Sequence, residues 1–159
     1  MTRIADFRID ESTWKQGSVH RRAEWRVLLS ELVAHGDFTA AMENRYLLAT
    51  PTTETVLFEV LDDEGNVLRD DRLDLASLGA SITEYAGIIR KLDGTGEHYD
   101  TAWFQAVDMA KKVVHDRAAD ILSRRIGALC THEPTLRLVF SFLFALRVDT
   151  SRMSNTRHR

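Results

Sequence analysis

Residues 136–148 read LRLVFSFLFALRV. Leu136, Val139, Phe140, Leu143 and Leu146 follow helical spacing and form one apolar stripe. Leu138, Phe142 and Ala145 form a second, and Phe144 with Val148 a third. Only Arg137, Ser141 and Arg147 interrupt. A helix that is apolar all round is buried all round. The run falls short of the roughly 18–20 apolar residues needed to cross a bilayer. It therefore reads as the central helix of a water-soluble core, with Pro134 suiting its first turn. The third stripe lies at the C-terminal end, where cover is thinnest. Left exposed, it would form a homodimer interface around Phe144 and Val148, with Trp25 or Trp103 at its edge.

Upstream of this helix the periodicity changes twice. Ile4, Phe7 and Ile9 alternate with charged residues and predict a short N-terminal edge strand. Residues 11–17 are polar, end in Gly17 and read as a loop. Trp25, Leu28, Leu29, Leu32 and Val33 recur at helical spacing over residues 19–35, with Ser18 as cap and Gly36 as stop. His20, Arg21, Arg22 and Arg26 crowd the first turns, either as a solvated face or as a binding patch. Alternation then takes over. Tyr46 to Ala49, Val56 to Leu61 and Val67 to Leu73 predict a three-strand antiparallel meander, with a tight turn at Gly65 or Asn66. Val56, Phe58 and Val60 should face the helices and Glu59 the solvent. Beyond the strands, Ser77 should cap a helix carrying Leu78, Ile82, Tyr85, Ile89 and Leu92, ended by Asp93-Gly94-Thr95-Gly96. A long helix should run from Asp100 or Thr101 to about Ala128. The fold class is α+β: a small antiparallel sheet covered by about four helices, the last one central.

Composition bounds the function. The 159 residues fit one domain, residues 1–150, followed by a flexible basic tail at 151–159. A hydrophobic fraction of 44% excludes disorder for the bulk of the chain, and a net charge of −3 gives no global pull toward nucleic acid or anionic membranes. Cys130 is the single cysteine, and no zinc-ligand spacing or cofactor motif is present. The N-terminus lacks the apolar core of a signal peptide, so a cytoplasmic location is expected.

The long helix carries the most suggestive polar constellation. Asp108, Lys112 and His115 stand at i, i+4 and i+7 on one face. A carboxylate beside an imidazole can orient it and raise its pKa, as an acid–base pair requires. The competing reading is structural: Asp108–Lys112 as a helix ion pair and His115 bonded to a backbone carbonyl. Lys111, Lys112, Arg124 and Arg125 add a basic surface, a weak nucleic-acid signal without interleaved exposed aromatics. Asp93-Gly94-Thr95-Gly96 lacks the lysine of a phosphate loop, and His132-Glu133-Pro134 lacks the second histidine of a zinc helix.

Ala106-Val107-Asp108-Met109, Lys111-Lys112 and His115, followed by Ile121-Leu122, Arg125-Ile126, Thr135, Arg137 and Phe140, resemble a bacterial family of unassigned function, uncharacterised protein family UPF0262. The resemblance is strongest over residues 73–147, and the meander fits in order. This sequence departs from the pattern at Asp116-Arg117, where the family runs Asn-Glu, at Leu138, where it has a second Arg, and at Arg147, often His. The resemblance supports the architecture and implies no activity. The expectation is a small non-catalytic interaction or regulatory protein, binding a protein partner or itself, with no cofactor and no membrane. The alternatives are an enzyme using Asp108 and His115, and an RNA- or ribosome-associated protein.

Overall fold

The computed structural model describes residues 1–93 and 100–150, so the C-terminal tail lies outside the described residues. Four strands, β1 (Asp6–Ile9), β2 (Tyr46–Pro51), β3 (Thr55–Leu61) and β4 (Val67–Asp74), form one sheet in the order β1-β2-β3-β4. Among the described residues five helices accompany it: α1 (Glu11–Gln16), α2 (Val19–His35), α3 (Gly79–Asp93), α4 (Thr101–Arg125) and α5 (Glu133–Arg147). The fold is α+β.

The expected meander is present as β2, β3 and β4, but β1 pairs with β2 in parallel, so the sheet is mixed rather than antiparallel throughout. A parallel pair needs a crossover, and α1 with α2 supplies it. The register puts Leu47 opposite Val60 and Ala49 opposite Phe58. Those four residues and Val56 are at most 3% exposed, whereas Glu59 is turned to the outer face, as the alternation predicts. Gly65 takes φ +83° in the β3–β4 turn, where Asp62 Oδ1 accepts from the N–H groups of Glu64 and Asn66.

Helix α5 is central, as its sequence requires. Phe140 and Phe142 are fully buried and Leu143 nearly so. Phe142 meets Phe7 of β1 edge to face at 5.2 Å, and Phe144 meets Tyr85 of α3 at 4.8 Å. Phe144 is only 4% exposed. Of the third stripe, Phe144 is therefore covered within one chain by Tyr85, whereas Val148 is half-buried; Trp25 is buried too. The surface expected to hold a dimer at Phe144 is not available. Leu146 remains half-buried where the helix emerges from the core.

Three local expectations are corrected. Residues 11–16 are helical, not a loop: Asp10 caps them by accepting from the Thr13 N–H, and Trp14 packs on Trp25 with ring centroids 6.0 Å apart. Ser77 does not cap α3. Its hydroxyl donates to the Asp74 carbonyl inside a 3-10 turn, Leu75–Leu78, which Asp74 itself caps. Helix α4 ends at Arg125, three residues before the expected Ala128. Residues 94–96 lie outside the described residues.

Arginines close three helix C-termini. The Arg22 guanidinium donates to the carbonyls of Trp14 and Lys15 at the end of α1, Arg3 to Gly36 after α2, and Arg21 to Ala145 and Leu146 in α5. Each places a cation where unsatisfied carbonyls and the negative end of the helix dipole meet. Arg21 and Arg22 are thus committed to backbone carbonyls, which explains the crowding of cations at the start of α2.

Candidate functional site

His115 and Asp108 do not form a pair. A carbonyl can only accept, so the contact between His115 Nδ1 and the Lys111 carbonyl, 2.9 Å, puts the ring proton on Nδ1. In the neutral ring Nε2 is then an acceptor, and the Ser141 hydroxyl of α5 donates to it across 3.2 Å. Both ring nitrogens are occupied. Tyr85 and Phe140 meet the ring edge to face at 4.8 and 5.2 Å. Burial, with the Glu24 charge behind it, pushes the Tyr85 phenol up. Asp108 sits on the exposed side of α4, two turns away, and among the described residues it makes no ion pair with Lys112.

A serine hydroxyl on a histidine Nε2 is the beginning of a nucleophile, yet the surroundings suit a structural link. Both residues lie in mid-helix at the α4–α5 seam, and a backbone carbonyl orients the imidazole in place of a carboxylate. Removing either partner strands the other at a half-buried site. His115→Ala is expected to cost about 1–3 kcal/mol. Adding Ser141→Ala should cost less than the sum of the two single changes, with a coupling of about 0.5–2 kcal/mol in a double-mutant cycle of urea denaturation. Additive costs would show the two side chains to be independent.

The basic surface divides. Lys111 and Lys112 stand more than three turns, about 20 Å, from Arg124 and Arg125 along α4. Asp116 and Asp120 lie between them, and Asp120 pairs with Arg124 at 3.0 Å. Arg125 and Arg124 border a shallow recess with Ser77 and Ile121.

Cys130 is buried, and its thiol lies 3.4 Å from the Asp37 carbonyl as a donor. Burial pushes its pKa up to about 11. Because the thiolate is the reacting form, native Cys130 should be alkylated at pH 8 about 100-fold more slowly than in denaturant. A labelling time course with iodoacetamide, read by mass, checks this.

The largest cavity among those described opens elsewhere, at the β1 edge of the sheet. It has a volume of about 810 Å³, within the range of ligand-binding clefts. Leu29, Ser30, Val33 and Ala34 of α2 form one wall and Tyr46, Leu48 and Leu61 of the outer sheet face the other, while Trp14 and Glu11 of α1 close one end. The floor is the unpaired edge of β1. The Asp10 N–H donates to the Ala49 carbonyl, so strand alternation directs Arg8 toward β2 as well. The N–H and C=O groups of Phe7 and Ile9 consequently point away from β2, on the side without a strand partner, although the two residues are only 2% and 7% exposed. Asp6 Oδ1 accepts from the Phe7 N–H at 2.9 Å, the usual protection of a strand edge by a charged side chain. The Arg26 guanidinium lies 5.3 Å from the Trp14 ring centre, and among the described residues it has no carboxylate partner. Arg8 lies over Tyr46 at 6.0 Å and pairs with Asp6.

Sequence reasoning did not find this cleft. Leu29 and Val33 have the spacing of core residues, and Trp14 sits in a stretch too polar to read as a helix. The one available signal was a tryptophan without an apolar neighbourhood in sequence. No group of histidine, cysteine and acidic side chains suited to a metal ion occurs among the described residues.

Fold and cleft define a class: an α+β protein with a mixed four-stranded sheet, a central apolar helix and an open strand edge beside a helix. The chain belongs to the uncharacterised protein family UPF0262, whose family model matches residues 1–149. The match thus extends the resemblance through the N-terminal strand and helices. Relatives include UPF0262 proteins of Novosphingobium aromaticivorans and Erythrobacter litoralis, each 26% identical over 92% of this chain and 96% of the relative. No solved structure matches. No described helix is long and apolar enough to cross a membrane.

Proposed function

We propose that this protein is a non-catalytic interaction module that receives an extended segment of a partner protein in the cleft between α2 and β1. The observation that carries the reading is the open β1 edge facing that cleft. An added strand takes its hydrogen bonds from such an edge and its specificity from the alternate side chains it places in flanking pockets. Here the N–H and C=O of Ile9, the less buried of the two outward-directed residues, offer the bonds, and Leu29, Val33 and Leu48 offer apolar contacts. Arg26, a cation on the Trp14 ring with no carboxylate partner among the described residues, favours a segment with an acidic residue near the α1 end.

The test is selection of a random linear-peptide library on the immobilised protein and on a Val33→Arg variant. Val33 is half-buried at the cleft wall, so the variant should fold and fill the cleft. The expected result is enrichment of extended apolar peptides with an acidic residue, binding at least tenfold more weakly to the variant and quenching or shifting Trp14 fluorescence. Equal binding to both proteins, or no enrichment, would refute the cleft as the working surface.

A further inference from the structure

Strand β4 ends the sheet at the edge opposite β1 and, like β1, has a strand on one side only. The Leu75 N–H donates to the Glu54 carbonyl at 2.9 Å. Alternation from that bond turns the N–H and C=O groups of Arg69, Asp71 and Leu73 toward β3 and those of Asp70 and Arg72 outward. The side chains of Asp70 and Arg72 stand on the outer face of the sheet, across from Glu59 and Leu57, and both are exposed. Glu59 and Asp70 are thus like charges directly opposite each other, a destabilising pair. Among the described residues Glu59, Asp70 and Arg72 form no ion pair. On the other face Asp71 is held by its own Arg69, whose guanidinium donates to both carboxylate oxygens at 2.7 and 3.0 Å.

We propose that β4 pairs with β4 of a second copy of this chain, antiparallel, about a twofold axis at Asp71. A twofold interface must be self-complementary: if one residue meets another, the reverse contact must also form. An axis at Asp71 sets each Asp70 opposite an Arg72, and these are the residues whose backbone groups point outward. Each such pair exchanges two N–H···O=C bonds, four in all. On the outer face each Arg72 then lies against the partner's Asp70, beside Glu59, and supplies the cation that the single chain lacks there. On the other face the two Asp71 side chains meet at the axis, each already neutralised by its own Arg69. The neighbouring registers fail. An axis at Asp70 sets Asp70 on Asp70 between two Glu59 side chains, and an axis at Arg72 sets Arg72 on Arg72 and Asp70 on Asp74. Charges on an edge strand ordinarily repel added strands. Opposite signs two residues apart make this edge complementary to its own twofold copy. One strand pair is a small interface, so the dimer belongs to the micromolar, transient class. It uses the edge of the sheet opposite the cleft between α2 and β1.

Sedimentation velocity on the full chain from low to several hundred micromolar decides the matter. The wild type should shift from monomer to dimer, and amide exchange at Asp70 and Arg72 should slow as it does. Asp70→Arg places Arg against Arg at both pairs, and Arg72→Asp places Asp against Asp. Each variant alone should associate on the order of tenfold more weakly, with circular dichroism showing it folded because both side chains are exposed. Mixed in equal amounts, the two variants should associate again, since every Arg now meets an Asp. The double swap in one chain should also restore the dimer. Val33→Arg, at the other edge, should dimerise as the wild type does. A wild-type monomer at every concentration would overturn the proposal. So would a dimer indifferent to both single swaps, or a mixture of the two variants that stays monomeric.

Discussion

Phe140→Ala should lower stability by about 3–5 kcal/mol and the melting temperature by on the order of 10 °C. Phe140 is fully buried, and its ring lies 5.2 Å from His115, 5.9 Å from Tyr85 and 6.5 Å from Phe144. Those neighbours come from three helices. Truncation removes the burial of an aromatic side chain and leaves a cavity that α3, α4 and α5 cannot close together, because His115 is tied to Ser141 and Lys111. The penalty is therefore expected at the upper end for a core aromatic. Ala substitution at Phe104, an exposed phenylalanine on α4, should by comparison cost no more than about 0.5 kcal/mol. Thermal melts of the two variants side by side check the contrast. A loss below 1 kcal/mol at Phe140 would mean that α5 is not the centre of the core.

The sequence is most informative where one physical term dominates. Residues 136–148 carry three apolar stripes, which forces most of the helix into the core and makes α5 central; the side of Arg137, Leu138 and Ser141 stays half-buried. Val56, Phe58 and Val60 alternate with Glu59, so slipping β3 by one residue would bury a carboxylate and expose a phenylalanine. Where two terms compete, the pattern loses its meaning. Residues 11–16 have too few apolar positions to show a period, and helix α1 forms because Asp10 caps it, Arg22 holds its end and Trp14 docks on Trp25. The parallel pairing of β1 depends on a crossover between distant segments, which no local pattern encodes. The cleft was illegible for a related reason. Spacing tells that Leu29 and Val33 point away from water-facing neighbours, but not that the strand beside them lacks a partner. For Asp108 and His115, helical geometry placed both on α4. The decisive bonds come from Lys111, one turn back, and from Ser141 on another helix. A single-helix wheel contains the first but cannot contain the second.

Trp25→Ala should cost about 3–5 kcal/mol, comparable to Phe140→Ala but by a different route. Trp25 is 1% exposed and stands where α1, α2 and α5 meet. Its indole N–H donates to the Ala145 carbonyl at 3.0 Å, its ring packs on Trp14, and the Arg21 guanidinium lies 4.9 Å from its face. Arg21 in turn bonds Ala145 and Leu146, so one side chain anchors both the ring and the end of α5. Gly17 fits against this ring so closely that an added Cβ would lie 2.5 Å from it. Trp25→Phe keeps most of the ring volume and loses the N–H, leaving the Ala145 carbonyl to Arg21 alone. It should cost about 1–3 kcal/mol. Gly17→Ala should destabilise as well, since the ring must move to admit the methyl group. Urea denaturation midpoints order the three variants. The functional consequence separates Trp25 from the cleft residues. Without Trp25, α1 loses the surface on which Trp14 rests, and Trp14 and Glu11 no longer close the end of the cleft. Peptide binding should fall together with stability in Trp25→Ala, whereas Val33→Arg should weaken binding at least tenfold with a much smaller fall in the denaturation midpoint. If Trp25→Ala binds the selected peptides as the wild type does, the α1 end of the cleft takes no part in recognition, and the acidic preference assigned to Arg26 fails with it.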